Sequence, residues 1–278
     1  MAHTESGPAG KGAAFRALHE RREAFIIPNP WDVGSARLLA RLGFEALATT
    51  SAGYAFSVGQ RDNTIGRDRM LEHAAAIVAA TDLPVSADLE NGFGDEAKTV
   101  AETIRLAAAA GLAGASIEDS TGQPDRPLYD HGLACDRVRA AAEAARSAPF
   151  SFTLTARAEN FLVGRGDIAD VIRRLQGYQE AGADVLYAPG LASRDDIAAV
   201  VRSVDRPVNV VMGLQGVRLS RAELSAMGVR RISVGSALSR AALGAFLRAA
   251  REMREQGTFT FADEAVSFRD VSAMFDAD

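Results

Sequence analysis

Three acidic side chains stand at the ends of two neighbouring apolar stretches of the chain. Asp88 and Glu90 close the stretch that begins at Pro84, and Glu118 closes the stretch that begins at Gly114. Side chains two positions apart on a strand share a face, so Asp88 and Glu90 can point into one pocket. Gathered carboxylates repel one another without a cation, and hard oxygen ligands favour Mg²⁺, with Mn²⁺ as a second choice. The sequence therefore predicts a divalent-metal site; the alternative is that these acids cap helices or pair with arginines.

An arginine follows a third apolar stretch, Ser151–Ala156. At the end of a strand, Arg157 can bind a carboxylate through two hydrogen bonds and offset negative charge that develops on oxygen. We therefore predict a catalytic role for Arg157. A structural ion pair with Glu118 or Asp88 is the alternative, and the two roles are compatible.

Small polar residues follow the second apolar stretch. Thr50, Ser51 and Ala52 bring backbone N–H groups and hydroxyls close together, which suits the binding of a substrate carboxylate. Asp62 comes back after a glycine turn, and we expect it to fold over the same pocket. Asn209, in a later apolar stretch, is expected to point into the pocket as a substrate-binding residue.

The elements that must position these residues are eight short apolar runs rich in β-branched residues, each separated from the next by a helical pattern. The runs are Phe25–Pro28, Ala46–Thr50, Pro84–Asp88, Gly114–Glu118, Ser151–Ala156, Asp184–Ala188, Pro207–Val211 and Arg230–Val234. Four helical patterns end in a glycine just before the next run, at Gly43, Gly111, Gly182 and Gly228. This arithmetic predicts an α/β fold, a single (β/α)₈ barrel of the TIM type, whose chemistry collects at the C-terminal ends of the strands. A doubly wound sheet fits less well, since no Gly-x-Gly-x-x-Gly follows the first run.

Three segments are expected along the chain: a flexible N-terminal tail over 1–14, the barrel over 15–257, and a C-terminal helical segment over 258–278. The last segment carries a sparse amphipathic pattern from Phe261 to Phe275. That pattern fits a helix that packs on its own barrel or one that crosses to a second subunit.

The stretch 120–132 after the fourth run is long, polar and broken by Pro and Gly. This composition is typical of a lid over an active site, with an ordinary solvated loop as the alternative. His131 is the histidine placed to reach a substrate, whereas His19 and His73 have the pattern of helix-surface residues.

Composition excludes several classes of protein. The 278 residues are 47% hydrophobic with a net charge of -5, which argues against a disordered chain and against nucleic acid or an anionic membrane as partner. The single cysteine, Cys135, excludes an internal disulfide, and no apolar run reaches the length of a membrane span. The two lysines, Lys11 and Lys98, are not placed for Schiff-base chemistry. We therefore expect a cytoplasmic globular protein, and residues 50–52 point to a small anionic carboxylate as its substrate.

Several of these motifs together resemble the isocitrate lyase/phosphoenolpyruvate mutase superfamily, over roughly Phe25 to Ser236. The motifs occur in the superfamily's order and are Asn29–Arg37, Thr50–Gly53, Gly59–Asp62, Ser86–Gly92, Ser116–Asp119 and Thr155–Arg157. The resemblance implies a Mg²⁺-dependent enzyme that makes or breaks a C–C or P–C bond next to a 2-oxo or 2-hydroxy carboxylate. The implied intermediate is a pyruvate-like enolate.

The resemblance also implies residue roles. By position, the metal shell is formed by Asp88, Glu90 and Glu118, directly or through water, and Asp62 is similar to the acid that orients metal-bound water. The substrate carboxylate would be held by residues 50–52, and Arg157 would stabilise the enolate. Exchange of a C-terminal helix between paired barrels is implied as well, and with it a homodimer or homotetramer.

The sequence departs from the superfamily in the lid. Isocitrate and methylisocitrate lyases carry Lys-x-Cys-Gly-His there, whereas residues 120–132 contain neither Lys nor Cys, and Cys135 falls in a helical pattern. The leading hypothesis is therefore a Mg²⁺-dependent lyase that cleaves a C–C bond in a small 2-hydroxy or 2-oxo acid. A phosphoenolpyruvate mutase-like or phosphonopyruvate hydrolase-like P–C enzyme is the alternative. A phosphate-binding barrel that uses Gly235 and Ser236, and a non-catalytic barrel, are less favoured.

Overall fold

Eight parallel strands form a barrel in the computed structural model, which describes residues 7–214 and 218–276. The strands are β1 Phe25–Ile27, β2 Leu47–Ala48, β3 Val85–Asp88, β4 Gly114–Glu118, β5 Thr153–Arg157, β6 Val185–Tyr187, β7 Val208–Val211 and β8 Arg231–Ser233. Their order is β1-β8-β7-β6-β5-β4-β3-β2, and a hydrogen bond of 3.0 Å from Ala48 N to Pro28 O joins the two end strands. The predicted (β/α)₈ barrel is confirmed.

Helices alternate with the strands and pack outside them. Those in the described part of the chain are α1 Pro8–Glu20, α2 Val33–Arg41, α3 Ser51–Ser57, α4 Arg67–Ala79, α5 Ala97–Ala109, α6 His131–Arg146, α7 Ile168–Ala181, α8 Arg194–Arg202, α9 Arg221–Ala226, α10 Ala237–Gln256 and α11 Phe268–Ala273, with a 3₁₀ turn at Thr260–Glu264. The glycine that ends α7, Gly182, has a φ of 109°, which β-carbon sterics disfavour in other residues. None of these helices is long and apolar enough to cross a membrane.

Helix α1 fills the N-terminal opening of the barrel. Phe15 and Leu18 on its inner face pack against Phe25 and Ile27 of β1, and all four side chains are buried. Burial of two such aromatic rings supplies a large apolar contact at this end.

Residues 8–14 belong to α1 and are not part of a flexible tail, so the expected boundary at residue 14 needs correction. Pro8 lies in the first turn of the helix, where its fixed φ and missing N–H are tolerated. Phe15 anchors the helix from its buried face. Both signals are local, and the polar, glycine-rich composition of the segment masked them.

Two histidines predicted to lie on helix surfaces are buried instead. His19 lies edge-on to Phe15 and Phe25, with ring centroids 4.8 and 5.0 Å apart, and His73 stacks on Tyr54 at 3.8 Å. Burial lowers the pKa of His19 to about 3 and that of His73 to about 4. The helical pattern alone did not reveal these aromatic neighbours.

Helix α10 and the C-terminal segment that follows it are the least buried part of the fold. Of the twenty residues of α10, Ser239 alone is buried, and Glu252 accepts hydrogen bonds from the backbone N–H groups of Thr260 and Phe261. Farther on, Met274 and Phe275 share a groove with Leu83 of their own barrel. Large apolar side chains nevertheless remain exposed along α10 and the C-terminal segment, at Leu238, Leu243, Phe246, Leu247, Met253, Phe259, Val266, Phe268 and Phe275.

Candidate active site

Three of the predicted residues meet at the C-terminal mouth of the barrel. Adjacent parallel strands carry Asp88, Glu118 and Arg157, and the register sets Glu118 beside Arg157. Nη1 of Arg157 lies 3.6 Å from Oδ1 of Asp88 and 3.3 Å from Oε2 of Glu118. Its Nε donates to Glu159, two residues farther along the chain. The structural ion pair considered for Arg157 is therefore present.

Burial shapes the charges of this mouth. It raises the pKa of Glu118 well above its usual range, against the opposing effect of the Arg157 guanidinium. Burial likewise raises the pKa of Glu159, again opposed by Arg157. One guanidinium thus balances several acids that would otherwise resist ionisation.

One carboxylate oxygen of Glu90 is left open by the described residues. Its side chain is 8% exposed, and its Oε1 has no hydrogen-bond partner among the described residues. Burial, followed by the charges of Asp88 and Asp62, raises the pKa of Glu90 to about 7. A buried carboxylate oxygen without a donor fits a proton, a cation or a water bound to a cation.

The predicted metal ligands do not form a ready-made cage. Across residues 7–214 and 218–276, no group of three or more His, Cys, Asp or Glu side chains is arranged so that it could hold a metal ion. Mg²⁺, however, commonly keeps several waters and takes one or two carboxylates together with substrate oxygens. The acidic donor set and the open oxygen of Glu90 fit that mode, and the ligand set of Asp88, Glu90 and Glu118 stays a prediction.

Asp62 lies beside the same acids, and its catalytic role stays a prediction. Burial raises its pKa, and the charge of Asp88 adds to this effect. The turn after α3 therefore does return an acid to the mouth.

The segment predicted to bind the substrate carboxylate forms the start of α3. Thr50 caps this helix and accepts a hydrogen bond from Gly53 N at 3.2 Å, and Ala52 is half-buried in its first turn. Ser51 donates to Oδ2 of Asp88 from its backbone N–H at 3.3 Å and from its hydroxyl at 3.0 Å. A substrate carboxylate bound by Ser51 would have to replace Asp88 at these donors.

Asn209 lies below the mouth. Its side chain is buried, donates to Ser233 Oγ at 3.0 Å and accepts from Arg231 Nε at 2.9 Å. It lines a cavity of about 50 Å³ that also reaches Asp88 and Arg157. Both of its amide atoms are thus engaged by protein groups.

Two residues of the site were not predicted as such. Tyr187, at the end of β6, has its ring 5.2 Å from the Arg157 guanidinium carbon, and burial raises its pKa to about 12. Asp119, next to Glu118, accepts from Arg174 and from the Tyr178 hydroxyl, at 3.0 and 2.5 Å. The sequence did contain a signal for Tyr187, which stands at the end of a predicted strand. It contained no signal for Asp119, whose partners lie on a distant helix.

A buried arginine ties the loop after β3 to helix α6. The Arg137 guanidinium donates to the carbonyls of Asn91, Gly94 and Asp95, and its carbon lies 4.0 Å from the centre of the Tyr129 ring. This loop contains Glu90, whose φ of 50° is unusual for a non-glycine residue. Arg137 therefore supports the backbone that carries the unpartnered acid.

His131 does not reach the mouth. It begins α6, and its Nε2 lies 3.3 Å from the carbonyl oxygen of Arg173 and 3.6 Å from the sulfur of Cys135. Cys135 is buried on the same helix, as its late position in the sequence indicated. In loop 120–132, Ser120 pairs with Leu128, so the candidate lid has a short bridge at its base.

A groove of about 680 Å³ opens beside the acids. It is lined by Asn63, Ile65, Gly66, Arg67, Asp68, Arg69, Glu90, Asn91, Phe93, Glu118, Ser120, Thr121 and Gly122. The volume suits a small organic ligand, with acids at one part and Arg67 and Arg69 at another. The groove and the charged mouth lie at the C-terminal ends of the strands, where (β/α)₈ enzymes carry their active sites.

Comparison with known proteins gives the family. The model of the phosphoenolpyruvate phosphomutase family matches residues 15–254, so the chain belongs to this family of lyases and mutases, as the sequence motifs predicted.

Relatives with described activities cover most of the chain. It is 31% identical to an oxaloacetate decarboxylase of Chromohalobacter salexigens over 87% of this chain and 84% of that protein. A crystal structure of a Burkholderia cenocepacia protein described as a lyase or mutase is 66% identical, with a TM-score of 0.95 and 97% of each chain covered. A phosphonopyruvate hydrolase solved with oxalate and Mg²⁺ is 26% identical, with a TM-score of 0.84, covering 95% of this chain and 94% of that one.

Proposed function

We propose that this protein is a Mg²⁺-dependent lyase that cleaves a C–C bond in a small 2-oxo or 2-hydroxy carboxylic acid and leaves a pyruvate-type enolate. The observation that carries the proposal is the position of Arg157 between Asp88 and Glu118, next to the unpartnered carboxylate of Glu90. A positive group held by buried acids is prepared to offset charge on a substrate oxygen.

The metal is assigned to Asp88, with Glu90 and Glu118 as ligands through water. Bound there, Mg²⁺ would polarise the oxygens of the substrate and lower the energy of the enolate. Burial and then the charge of nearby Asp88 raise the pKa of Asp62. Asp62 is therefore suited to hydrogen-bond a water bound to the metal.

Arg157 is assigned to the oxygen that becomes negative. Its guanidinium is fixed by Glu118, Glu159 and the ring of Tyr187, so little reorganisation is needed as charge develops. The carboxylate of the substrate is assigned to the start of α3. Ser51 would there donate its hydrogen bonds to the substrate instead of to Asp88.

The composition of the candidate lid bears on the choice of reaction. Loop 120–132 has no Lys or Cys to deliver a proton. This favours a cleavage whose enolate product takes its proton from water, as in the loss of a carboxyl group. Oxaloacetate, the substrate in the name of the Chromohalobacter relative, is therefore the first compound to test.

Cleavage of a P–C bond is the second candidate. It is favoured by Arg67 and Arg69, which line the groove beside Glu90 and carry the charge that a phosphonate needs. The phosphonopyruvate hydrolase relative supports this reading.

The test is a pyruvate-release assay on oxaloacetate, on 2-hydroxy diacids and on phosphonopyruvate, with and without Mg²⁺. We expect turnover of a carbon substrate that Mg²⁺ raises above the spontaneous rate and that Arg157→Gln reduces by about 10²–10³-fold. The matched control is Arg165→Gln, in an exposed turn beyond β5. Turnover of phosphonopyruvate alone would replace the main proposal by the second, and turnover that does not respond to either Mg²⁺ or Arg157→Gln would refute both.

We also propose that the chain forms homodimers or homotetramers through the exposed apolar surface of α10 and the C-terminal segment. Phe246 is 65% exposed and stands on the same helix as four other exposed large apolar side chains. Exposed apolar patches of this kind mark interfaces. Sedimentation velocity of Phe246→Glu should show smaller particles than the wild type and than the control Arg248→Glu, and an unchanged oligomer would contradict the assignment.

A further inference from the structure

Arg231 is a buried arginine inside the barrel, and the described residues give it no counter-ion. Arg231, the first residue of β8, is 5% exposed. Its Nε donates to Asn209, but its Nη1 is buried without a hydrogen-bond partner in the described part of the chain. Among residues 7–214 and 218–276, no carboxylate lies within ion-pair distance of Arg231, in contrast to Arg157 and Arg174. Buried charges are normally paired because they lose their hydration.

The surroundings of Arg231 do not compensate its charge. Burial lowers the pKa of Arg231 to about 10, and the one group that opposes this effect is the phenol of Tyr187. The nearby His19 is neutral, since burial and the charge of Arg231 both lower its pKa, and its Nε2 also lacks a partner. The guanidinium therefore remains charged at neutral pH and presents an open donor.

Arg231 lines a cavity of about 50 Å³ together with Ser86, Ser116 and Asn209, and this cavity extends to Asp88 and Arg157. One water needs roughly 10–15 Å³ of such space. Sites for organic ligands measure about 300 Å³ or more. The cavity can therefore hold an inorganic ion with a water or two, but not a carboxylic acid substrate.

The charge around the cavity selects the sign of the guest. Asp88 and Arg157 also border it, but they are paired with each other, and Asp88 also accepts a hydrogen bond from Ser51. Arg231 is the charged wall residue whose hydrogen-bonding capacity is open, and serine hydroxyls can donate to an anion. A small anion satisfies both the open donor and the missing charge, whereas water satisfies the donor alone.

We propose that this cavity is a binding site for a small monovalent inorganic anion, of which chloride is the common example, held by Arg231 beneath the active-site mouth. The cavity lies outside the groove of about 680 Å³, although Asp88 and Arg157, which the proposed reaction uses, also border it. Because the anion binds the folded chain, it stabilises the fold and fixes the amide of Asn209 through Arg231.

The first test measures the melting temperature in chloride against methanesulfonate at constant ionic strength. We expect the wild-type melting temperature to rise by about 4–7 °C when chloride reaches about 20 times its dissociation constant. Arg231→Met, which replaces the charge by an apolar side chain of similar length, should lose this response. The control Arg230→Met, at a half-buried neighbour whose Nη1 donates to the Arg22 carbonyl, should keep it.

The second test does not need a variant to fold. Wild-type crystals grown with bromide should give an anomalous peak within hydrogen-bond distance of the Arg231 guanidinium. A cavity that contains water without a bromide peak would overturn the proposal. An Arg231→Met protein that responds to chloride as strongly as the wild type would overturn it as well.

Discussion

The two ends of the barrel differ in chemistry, although the same strands form both: the C-terminal end is charged and the N-terminal end is apolar. At the C-terminal mouth, the half-buried side chains of Asp88, Glu118 and Arg157 lie together, and Glu90 is left with an open oxygen among the described residues. At the N-terminal end, Phe15 of α1 closes the barrel with an apolar contact.

The difference separates function from stability. At the mouth, charged side chains are partly removed from water, which costs free energy but leaves them available to a ligand. At the other end, the apolar side chains of α1 that close the barrel, here called the plug, contribute hydrophobic contact. Variants at the mouth should therefore change turnover more than unfolding, and variants of the plug should do the reverse.

The sharpest test of this separation at the mouth is Asp88→Asn. The change removes the charge assigned to the metal and to Arg157, so we expect kcat/KM to fall by about 10³-fold or more, with a small change in melting temperature. The control is Asp68→Asn in the adjoining groove, since the Asp68 side chain is 89% exposed and pairs with Arg67. An Asp88→Asn enzyme with normal Mg²⁺-dependent turnover would break the comparison.

The plug is tested by Phe15→Ala. Loss of this buried ring should lower the free energy of unfolding by about 3–5 kcal/mol, because a cavity is left between α1 and β1. Turnover of the protein that remains folded should stay near that of the wild type. Denaturant titration measures the change, and Leu42→Ala, at a residue 66% exposed, is the control. A loss of turnover without a loss of stability would assign the plug a role in the site.

The plug also predicts a dependence on pH. The folded-state pKa of His19 is lowered from 6.5 to about 3, so the unfolded chain binds more protons between these values. Stability contributed by neutral His19 is therefore present above pH 6.5 and falls as the pH drops toward 3, by about 1.4 kcal/mol per pH unit. His19→Phe should flatten this part of the stability curve, measured by urea unfolding. An unchanged slope would show that the ring is not buried as described.

The smallest effect is expected at Cys135, which belongs to neither end. Its side chain is buried on α6, away from the acids, and burial raises the pKa of its thiol. Cys135→Ala should keep turnover within about twofold of the wild type, since a buried neutral thiol is a poor proton carrier. A variant without activity would place this cysteine in the reaction after all.

The barrel was predictable because its signals are local. The run Gly114–Glu118 matches β4 from end to end, and the other seven runs each contain or overlap a strand. The glycines before the runs, such as Gly111 with a φ of 82°, have the left-handed backbone that the sequence indicated. The meeting of Asp88, Glu118 and Arg157 then followed from the rule that strand ends share one mouth.

The remaining features depend on partners far apart in the chain. The Asp119 carboxylate binds Arg174 and Tyr178, which follow it by 55 and 59 positions, and no local pattern relates them. His19 is buried because Phe25 lies beside it across a turn. The roles assigned to Asp62, Asn209 and residues 50–52 stay predictions until a ligand is bound.

The clamp formed by Arg137 has a consequence for how the enzyme can be altered from a distance. Arg137 belongs to the outer ring of helices, yet it grips the loop that carries Glu90 and stacks on Tyr129, at the end of the candidate lid. Arg137 thus links the loop that carries Glu90 to the loop that carries Tyr129 through a single side chain. We therefore expect a change at Arg137 to disturb both loops at once, although Arg137 lies on an outer helix.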